Sequence, residues 1–332
     1  MDSLEKFYEN KIILVTGGCG SIGSEIVKKL LKFNVKTIRI FDNNESKLFD
    51  MEQELKTNKI RPFIGDVRDK NRLLRSVENV DFIFHAAALK HVPLCEYNPF
   101  EAVKTNILGT ENVINAALKE EIEKLVFIST DKAVNPTNVM GASKLLAEKI
   151  TTSANNFKGL KKTTFCSVRF GNVLNSNGSV IPLFKKQIKN GGPVTVTDPN
   201  MTRFFMKIPQ AVELVLKAGF ISTGGETFIF KMPTVCIGDL VEATIDYFAS
   251  KYDYKPEDIE VKIIGKRPGE KKHEDLMNDT DTKNAYENKE MFITMPTKSQ
   301  IEKWNLEKTK RKKYSSKDKK PLTKKQIIHL LE

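Results

Sequence analysis

From Lys11 to Phe170 the chain alternates two hydrophobic textures: short apolar runs, and longer stretches with apolar residues three and four positions apart. The first run, Lys11-Ile12-Ile13-Leu14-Val15-Thr16, reads as a strand buried on both faces, because nothing polar interrupts Ile12–Val15. Ser24–Phe33 follows with Ile26, Val27, Leu30 and Leu31 at helical spacing. Strands are then predicted at 37–41, 60–64, 80–85, 124–130 and 163–170. Helices are predicted at 45–56, 99–119 and 140–154. The 99–119 helix gathers Val103, Ile107, Val113, Ile114 and Ala117 on one side. Strand–helix alternation over about 170 residues predicts an α/β fold, a right-handed, doubly wound parallel sheet.

After Leu174 the texture changes. Residues 175–179 read as a loop, 180–189 as a helix stopped by Gly191-Gly192-Pro193, and 194–197 as a short strand. A helix at 208–218, a strand at 228–230, a helix at 237–248 and a strand at 260–264 follow. Short mixed elements with basic loops predict a smaller α/β cap that closes over the strand ends and holds an anionic substrate. The division expected is a dinucleotide domain over 1–174, with room for later segments to return to it, a substrate domain over 175–295, and a tail over 296–332. In that tail a helix opens at Thr323 and places Ile327, Ile328 and Leu331 on one face. It is expected to dock on its own chain or a neighbour.

The candidate chemistry sits where apolar runs end. Gly18, Gly20 and Gly23, preceded by Gly17, form a Gly-x-Gly-x-x-Gly turn between the first strand and helix. There glycines let backbone approach a pyrophosphate and the helix N-terminus, with Ser21 and Ile22, faces it. Asp42 closes the second strand, where a carboxylate meets the adenosine ribose and repels a 2′-phosphate. That favours NAD, while the nearby cations Arg39 and Lys47 keep NADP open. Asn43 and Asn44 lie beside Asp42, and Asp66 and Val67 fall where the adenine edge is read. Ala86, Ala87 and Ala88 leave room for a flat cofactor. Asn106 is placed to bond the backbone of the fourth or fifth strand. Ser129, Thr130, Asp131 and Lys132 end the fifth strand, and Asp131 can give a proton while Lys132 takes one if the site brings their pKa values toward neutrality. Phe170 ends the sixth strand. Lys90 and His91, and then Asn172 and Val173, are placed toward the substrate. Arg203 and Arg267 can fork onto a diphosphate, and Glu270 closes the Arg267 loop.

Composition narrows the class. The 332 residues are 40% hydrophobic and 29% charged, as in an ordinary globular protein. No apolar run nears the roughly 20 residues of a membrane helix, and the N-terminus lacks a signal-peptide core, so a cytoplasmic protein is expected. The four scattered cysteines have no metal-like spacing and are expected reduced. Residues 307–332 carry ten basic against three acidic side chains, a net of +7 out of +12. The basic excess is therefore mostly a property of the tail. Aromatic residues are sparse there, so a solvated or docked tail is expected over a nucleic-acid surface.

The glycine turn, Ala86-Ala87-Ala88, Ser129-Thr130-Asp131-Lys132-Ala133, Gly141-Ala142-Ser143-Lys144, Arg169-Phe170-Gly171-Asn172-Val173 and Arg267-Pro268-Gly269-Glu270 resemble the extended short-chain dehydrogenase/reductases. More narrowly, they are similar to the UDP-N-acetylglucosamine 4,6-dehydratases of surface-polysaccharide and glycan biosynthesis, over about residues 8–295, and to their shorter branch without a membrane region. The resemblance implies a Rossmann-type domain that binds NAD, or NADP, and a C-terminal domain that binds a UDP-sugar. It also implies a homo-oligomer formed through helices of the dinucleotide domain. It implies oxidation at C4, removal of the C5 proton by Lys132, protonation of the departing 6-hydroxyl by Asp131, and hydride return to C6. Thr130 would bond the 4-oxygen and Lys144 the nicotinamide ribose. The wider superfamily's Tyr-x-x-x-Lys has Met140 in the tyrosine's place, beside the substrate, with Lys144 kept. A thioether is no base, so the group that deprotonates the 4-hydroxyl stays open among Asp131, Lys132 and a water held by Thr130. The rivals are a 4-epimerase on the same fold and a non-catalytic nucleotide or nucleic-acid binder.

Overall fold

The computed structural model describes residues 2–176 and 178–331. Asn177, in the expected 175–179 loop, and Glu332, in the tail's charge count, lie outside them. Six parallel strands, β1 (Ile12–Thr16), β2 (Thr37–Asp42), β3 (Ile60–Ile64), β4 (Phe82–His85), β5 (Lys124–Ile128) and β6 (Thr164–Arg169), stand in the order 3-2-1-4-5-6. The order reverses between β1 and β4, which opens a crevice at their C-terminal ends.

The uninterrupted apolar runs form these strands because each strand faces two cores. Ile13, Val15, Phe82, Phe84, Val126 and Ile128 point into one core. Their alternates Leu14, Ile83, Leu125 and Phe127 point into the other. Helices Ser21–Leu31 and Ile208–Ile221 cover the first face with Ile26, Val27, Leu30, Val212 and Val215. Helices Gly109–Lys119 and Val139–Phe157 cover the second with Val113, Ile114, Ala147 and Ala154.

The sheet continues past β6. Thr227–Phe230 adds a parallel strand, and Met291–Thr294, Ala285–Glu287 and Glu307–Lys308 extend it antiparallel to ten strands. The ten strands therefore come from both sides of position 174. The cap has its own core, built on helices Val180–Lys189 and Ile237–Phe248 and completed by Ile327 from the C-terminal helix Lys324–Leu331.

Several expected elements differ in detail. The 99–119 helix is interrupted by a π-helical stretch, Val103–Leu108, where an extra residue per turn redirects a side chain. The 312–322 loop contains a strand, Tyr314–Ser315, paired antiparallel with Asp275–Met277. Tyr314 is 2% exposed and its hydroxyl donates to Met232 O at 3.1 Å. The tail is thus docked on its own chain. Among the described residues no helix is long and apolar enough to cross a membrane, and no cluster of side chains could hold a metal.

Candidate active site

The turn after β1 leaves no room for a Cβ at Gly17 or Gly23. Gly17 has φ +62°, and a Cβ there would lie 2.6 Å from Ala87 N. A Cβ on Gly23 would lie 2.2 Å from Gly17 O. Gly20 caps the Ser21–Leu31 helix without a side-chain bond, and the first turn holds no acidic residue. Its amides and the positive end of its dipole, with Ser21, Ile22 and Gly23 in the first turn, fit a pyrophosphate. Ala86, Ala87 and Ala88 lie across the same turn, half-buried.

Toward the adenosine end, Asp42 accepts from Cys19 N at 2.9 Å and from Asn44 N at 3.0 Å. It ties the glycine turn to the start of the Glu45–Leu55 helix, whose cap Asn44 accepts from Lys47 N. Asn43 bonds Asp66, and Arg68 forks onto the same carboxylate at 2.6–3.0 Å. That guanidinium holds the Asp66 carboxyl below its ordinary value. Val67, expected at the cofactor, is 4% exposed and packs its side chain on Gly109, so only its backbone is left to offer.

Asn106 sits in the π-helical stretch. It accepts from Leu89 N at 2.8 Å and donates to Leu89 O at 3.0 Å and Ser143 Oγ at 2.9 Å. It therefore holds the segment after β4 and not a strand, because the π turn aims it past the strand end. Lys144 is buried, donates to Ile128 O at 2.5 Å and lies 3.9 Å from the Phe127 ring centroid. Burial pushes its ammonium down to about 7. Beside it, buried His85 spans Thr16 and Thr110, and burial, with the Lys144 charge, pushes it down to about 3 and keeps it neutral.

The end of β5 carries the acid and the amine. Thr130 caps a single 3-10 turn, Asp131–Ala133, and its hydroxyl donates to Asp131 Oδ1 at 2.8 Å. Lys132 Nζ donates to the same oxygen at 3.0 Å. Asp131 is fully buried, its N–H bonds Phe170 O at 3.1 Å, and its Oδ2 has no partner. A second carboxylate, Glu274, stands 4.0 Å from Lys132 Nζ, 4% exposed, its Oε2 also without a partner. Burial costs the Lys132 charge, but Asp131 and Glu274 outweigh that and hold the ammonium above its ordinary value. Burial likewise raises the Glu274 carboxyl, against the opposing pull of Lys132.

Asn172, Ser179, Arg203, Arg267 and Glu270 line one pocket in the cap, with Val180, Phe184 and Ile237. Asn172 Oδ1 and Ser179 Oγ are buried there without partners, as is Ser129 Oγ at the end of β5. Buried oxygens of this kind await a donor, and a polar ligand supplies one. Arg267 is exposed. Arg203 is 6% exposed and spends its donors on Thr202 O, Lys271 O and Lys272 O, beside Glu270 at 3.5 Å. It frames the pocket and shapes the 267–272 loop. Lys90 and His91 are exposed, and the His91 ring lies over Gly178, where a Cβ would stand 2.4 Å from Cε1.

Three expected side-chain contacts are displaced into packing. Met140, 3% exposed, lies in a small apolar cluster with Cys95 and Ala102. Val173 is 6% exposed in the main core. Phe170 stacks on Phe230 at 5.5 Å, and only its carbonyl reaches the site. The reason is common to all three: apolar side chains at strand and helix ends are drawn under the site by the cores. Sequence reasoning missed Glu274, His85 and Ser179. It also missed Arg169, which joins Glu148 on the Lys144 helix to Asp281 and Leu276 O. The acidic residue four positions past Glu270 was the one available signal.

A doubly wound sheet, a glycine turn and an acid–amine pair at the end of β5 define an enzyme of the extended short-chain dehydrogenase/reductases that modifies nucleotide sugars. The chain belongs to the polysaccharide biosynthesis protein family, whose model matches residues 13–296. It is 60% identical, over 99% of its length and 97% of the relative's, to an uncharacterized membrane protein of Methanocaldococcus jannaschii. Two relatives at 42% identity carry different activities in their names. One is an inverting UDP-N-acetylglucosamine 4,6-dehydratase of Campylobacter jejuni (90% of this chain, 86% of that one). The other is a UDP-glucose 4-epimerase of Rickettsia canadensis (84% and 81%). Among solved structures, Pen from Bacillus thuringiensis superposes with a TM-score of 0.92 at 43% identity, over 98% of each chain.

Proposed function

We propose that the protein is an NAD-dependent UDP-N-acetylglucosamine 4,6-dehydratase. The observation that carries this reading is the buried Asp131 carboxylate, bonded to Lys132 at 3.0 Å and Thr130 at 2.8 Å at the mouth of the dinucleotide crevice. Asp42, aimed into the glycine turn, supports NAD over NADP. When bound, the nicotinamide supplies a place to hold a hydride between its removal from C4 and its delivery to C6.

The chain's own groups move the protons. With Met140 buried and inert, Thr130 takes the 4-hydroxyl proton and passes its own to Asp131. The C4 ketone acidifies the C5–H bond, and Lys132, as the free amine, takes that proton. Asp131 gives its proton to the departing 6-hydroxyl, which leaves as water. Lys132 returns a proton to C5. Each proton transfer contributes on the order of 10²–10⁴ in rate. Asn172, Ser179 and Arg267 are the groups this reading places on the UDP-sugar. Exposed Leu94, Tyr97, Phe100 and Leu108 on the helices beside β4 support the expected homo-oligomer.

The test is incubation with NAD and UDP-N-acetylglucosamine in deuterated water, followed by proton NMR. A 4-keto-6-deoxy product is expected, and its C5 configuration is read in the same spectrum. Folded, cofactor-bound protein that yields none counts against the reading. The Rickettsia relative favours a second reading, a 4-epimerase, and mass spectrometry separates the two because an epimer keeps the mass of its substrate.

A further inference from the structure

Lys132 has to act as a free amine, yet two carboxylates hold it as an ammonium. Asp131 cannot take the resting proton and still accept the one from the 4-hydroxyl. The other carboxylate beside it is Glu274, whose Oε1 stands 4.0 Å from Lys132 Nζ and whose buried Oε2 has no partner, so the group has room for a proton. We propose that Glu274 is a positioning residue for Lys132: it accepts the resting proton when substrate closes the site, and the C-terminal segment Tyr314–Ser316 holds it in place. The proposal rests on the dehydratase reading and assigns the step that reading leaves without a residue.

The step balances. One N–H bond of the Lys132 ammonium breaks and one O–H bond forms on Glu274, leaving a neutral amine and a neutral acid. Closure by the sugar removes water, and an ion pair deprived of water loses ground to its neutral form. Glu274 keeps that proton through the turnover and returns it to Lys132 when product leaves. The charged groups facing this pair are Asp131, Arg203 and Lys271. Asp131 is engaged by Lys132, while Arg203 and Lys271 are held by backbone carbonyls, Lys271 by Val134 O at 2.6 Å.

Glu274 owes its place to the tail. Ser316, fully buried, accepts from Glu274 N at 2.9 Å through its hydroxyl and donates its own N–H to Glu274 O at 2.8 Å. The same hydroxyl bonds Thr202 Oγ1 at 2.8 Å. On the other side Arg169 grips Leu276 O at 2.9 Å.

The test compares wild type with Glu274→Gln and Ser316→Ala on UDP-N-acetylglucosamine across pH. Glu274→Gln keeps the shape but cannot take the proton. It should lower kcat at pH 7 by about 10²-fold with KM little changed, and recover as pH rises and solvent strips the Lys132 proton. Ser316→Ala should show a smaller loss with the same alkaline recovery. An unchanged profile, or a loss equal at every pH, in either variant overturns the proposal while leaving the dehydratase reading intact. No product from wild type overturns both. Should Glu274→Gln not fold, Ser316→Ala decides alone by the same criterion.

Discussion

The dinucleotide half and the cap-and-tail half of this molecule are built by different rules. In the first, each strand and its following helix are neighbours in the chain and in space. Their pairing follows from local pattern, as with Ile13 and Val15 facing one core and Leu14 the other. In the second, the decisive contacts join distant residues. Thr202, Glu274 and Ser316 meet around one hydroxyl, and Arg169 reaches Asp281 across 112 positions. The candidate site lies on the seam, with Asp131 and Lys132 supplied by the local half and Glu274 by the remote one. Local rules place the acid and the amine, and long-range contacts bring the second carboxylate beside them.

The sharpest probe of this contrast is Lys132→Ala. It should abolish loss of water, a drop of at least about 10³-fold, while dinucleotide binding, followed by fluorescence, stays intact. Dehydration at the wild-type rate would remove Lys132 from its role. Next in size is Arg169→Ala, which strips the partner from buried Glu148 and should cost about 3–5 kcal/mol in urea unfolding. A loss under about 1 kcal/mol would show that the link between the halves is slack. Smaller again is Ile327→Ala, which empties the tail's seat in the cap core. About 2–4 kcal/mol is expected if the tail is an integral element, and a neutral result would mark it as detachable.

The smallest effect concerns Lys144. Its folded pKa, about 7, lies below its unfolded value, so between about pH 7 and 10 the unfolded chain binds the extra proton. Stability should therefore rise with pH in that window, by up to about 1.4 kcal/mol per pH unit. Lys144→Met should flatten that slope in denaturant titrations at pH 7, 8 and 9. A slope that survives the substitution places the titrating group elsewhere.

The parallel sheet, the glycine turn, Asp42 and the Thr130-Asp131-Lys132 cluster were legible in the sequence. A strand buried on both faces and a side-chain-free turn leave marks in adjacent residues. Which face Asn106 serves was not, because one extra residue in a helical turn changes no composition. The packing of Met140 and Val173 under the site was not legible either; a return of later segments to the sheet and a docked tail were expected, but not that residues 227–230 and 285–308 are the ones that return, nor where the tail docks. Each depends on what lies opposite after folding, and hydrophobic pattern records how much a residue is buried but not against which partner. The approach of Glu274 to Lys132, 142 positions apart, belongs to the same class: the sequence determined that a carboxylate and an amine would stand together, and only tertiary structure decided which further carboxylate would stand beside them.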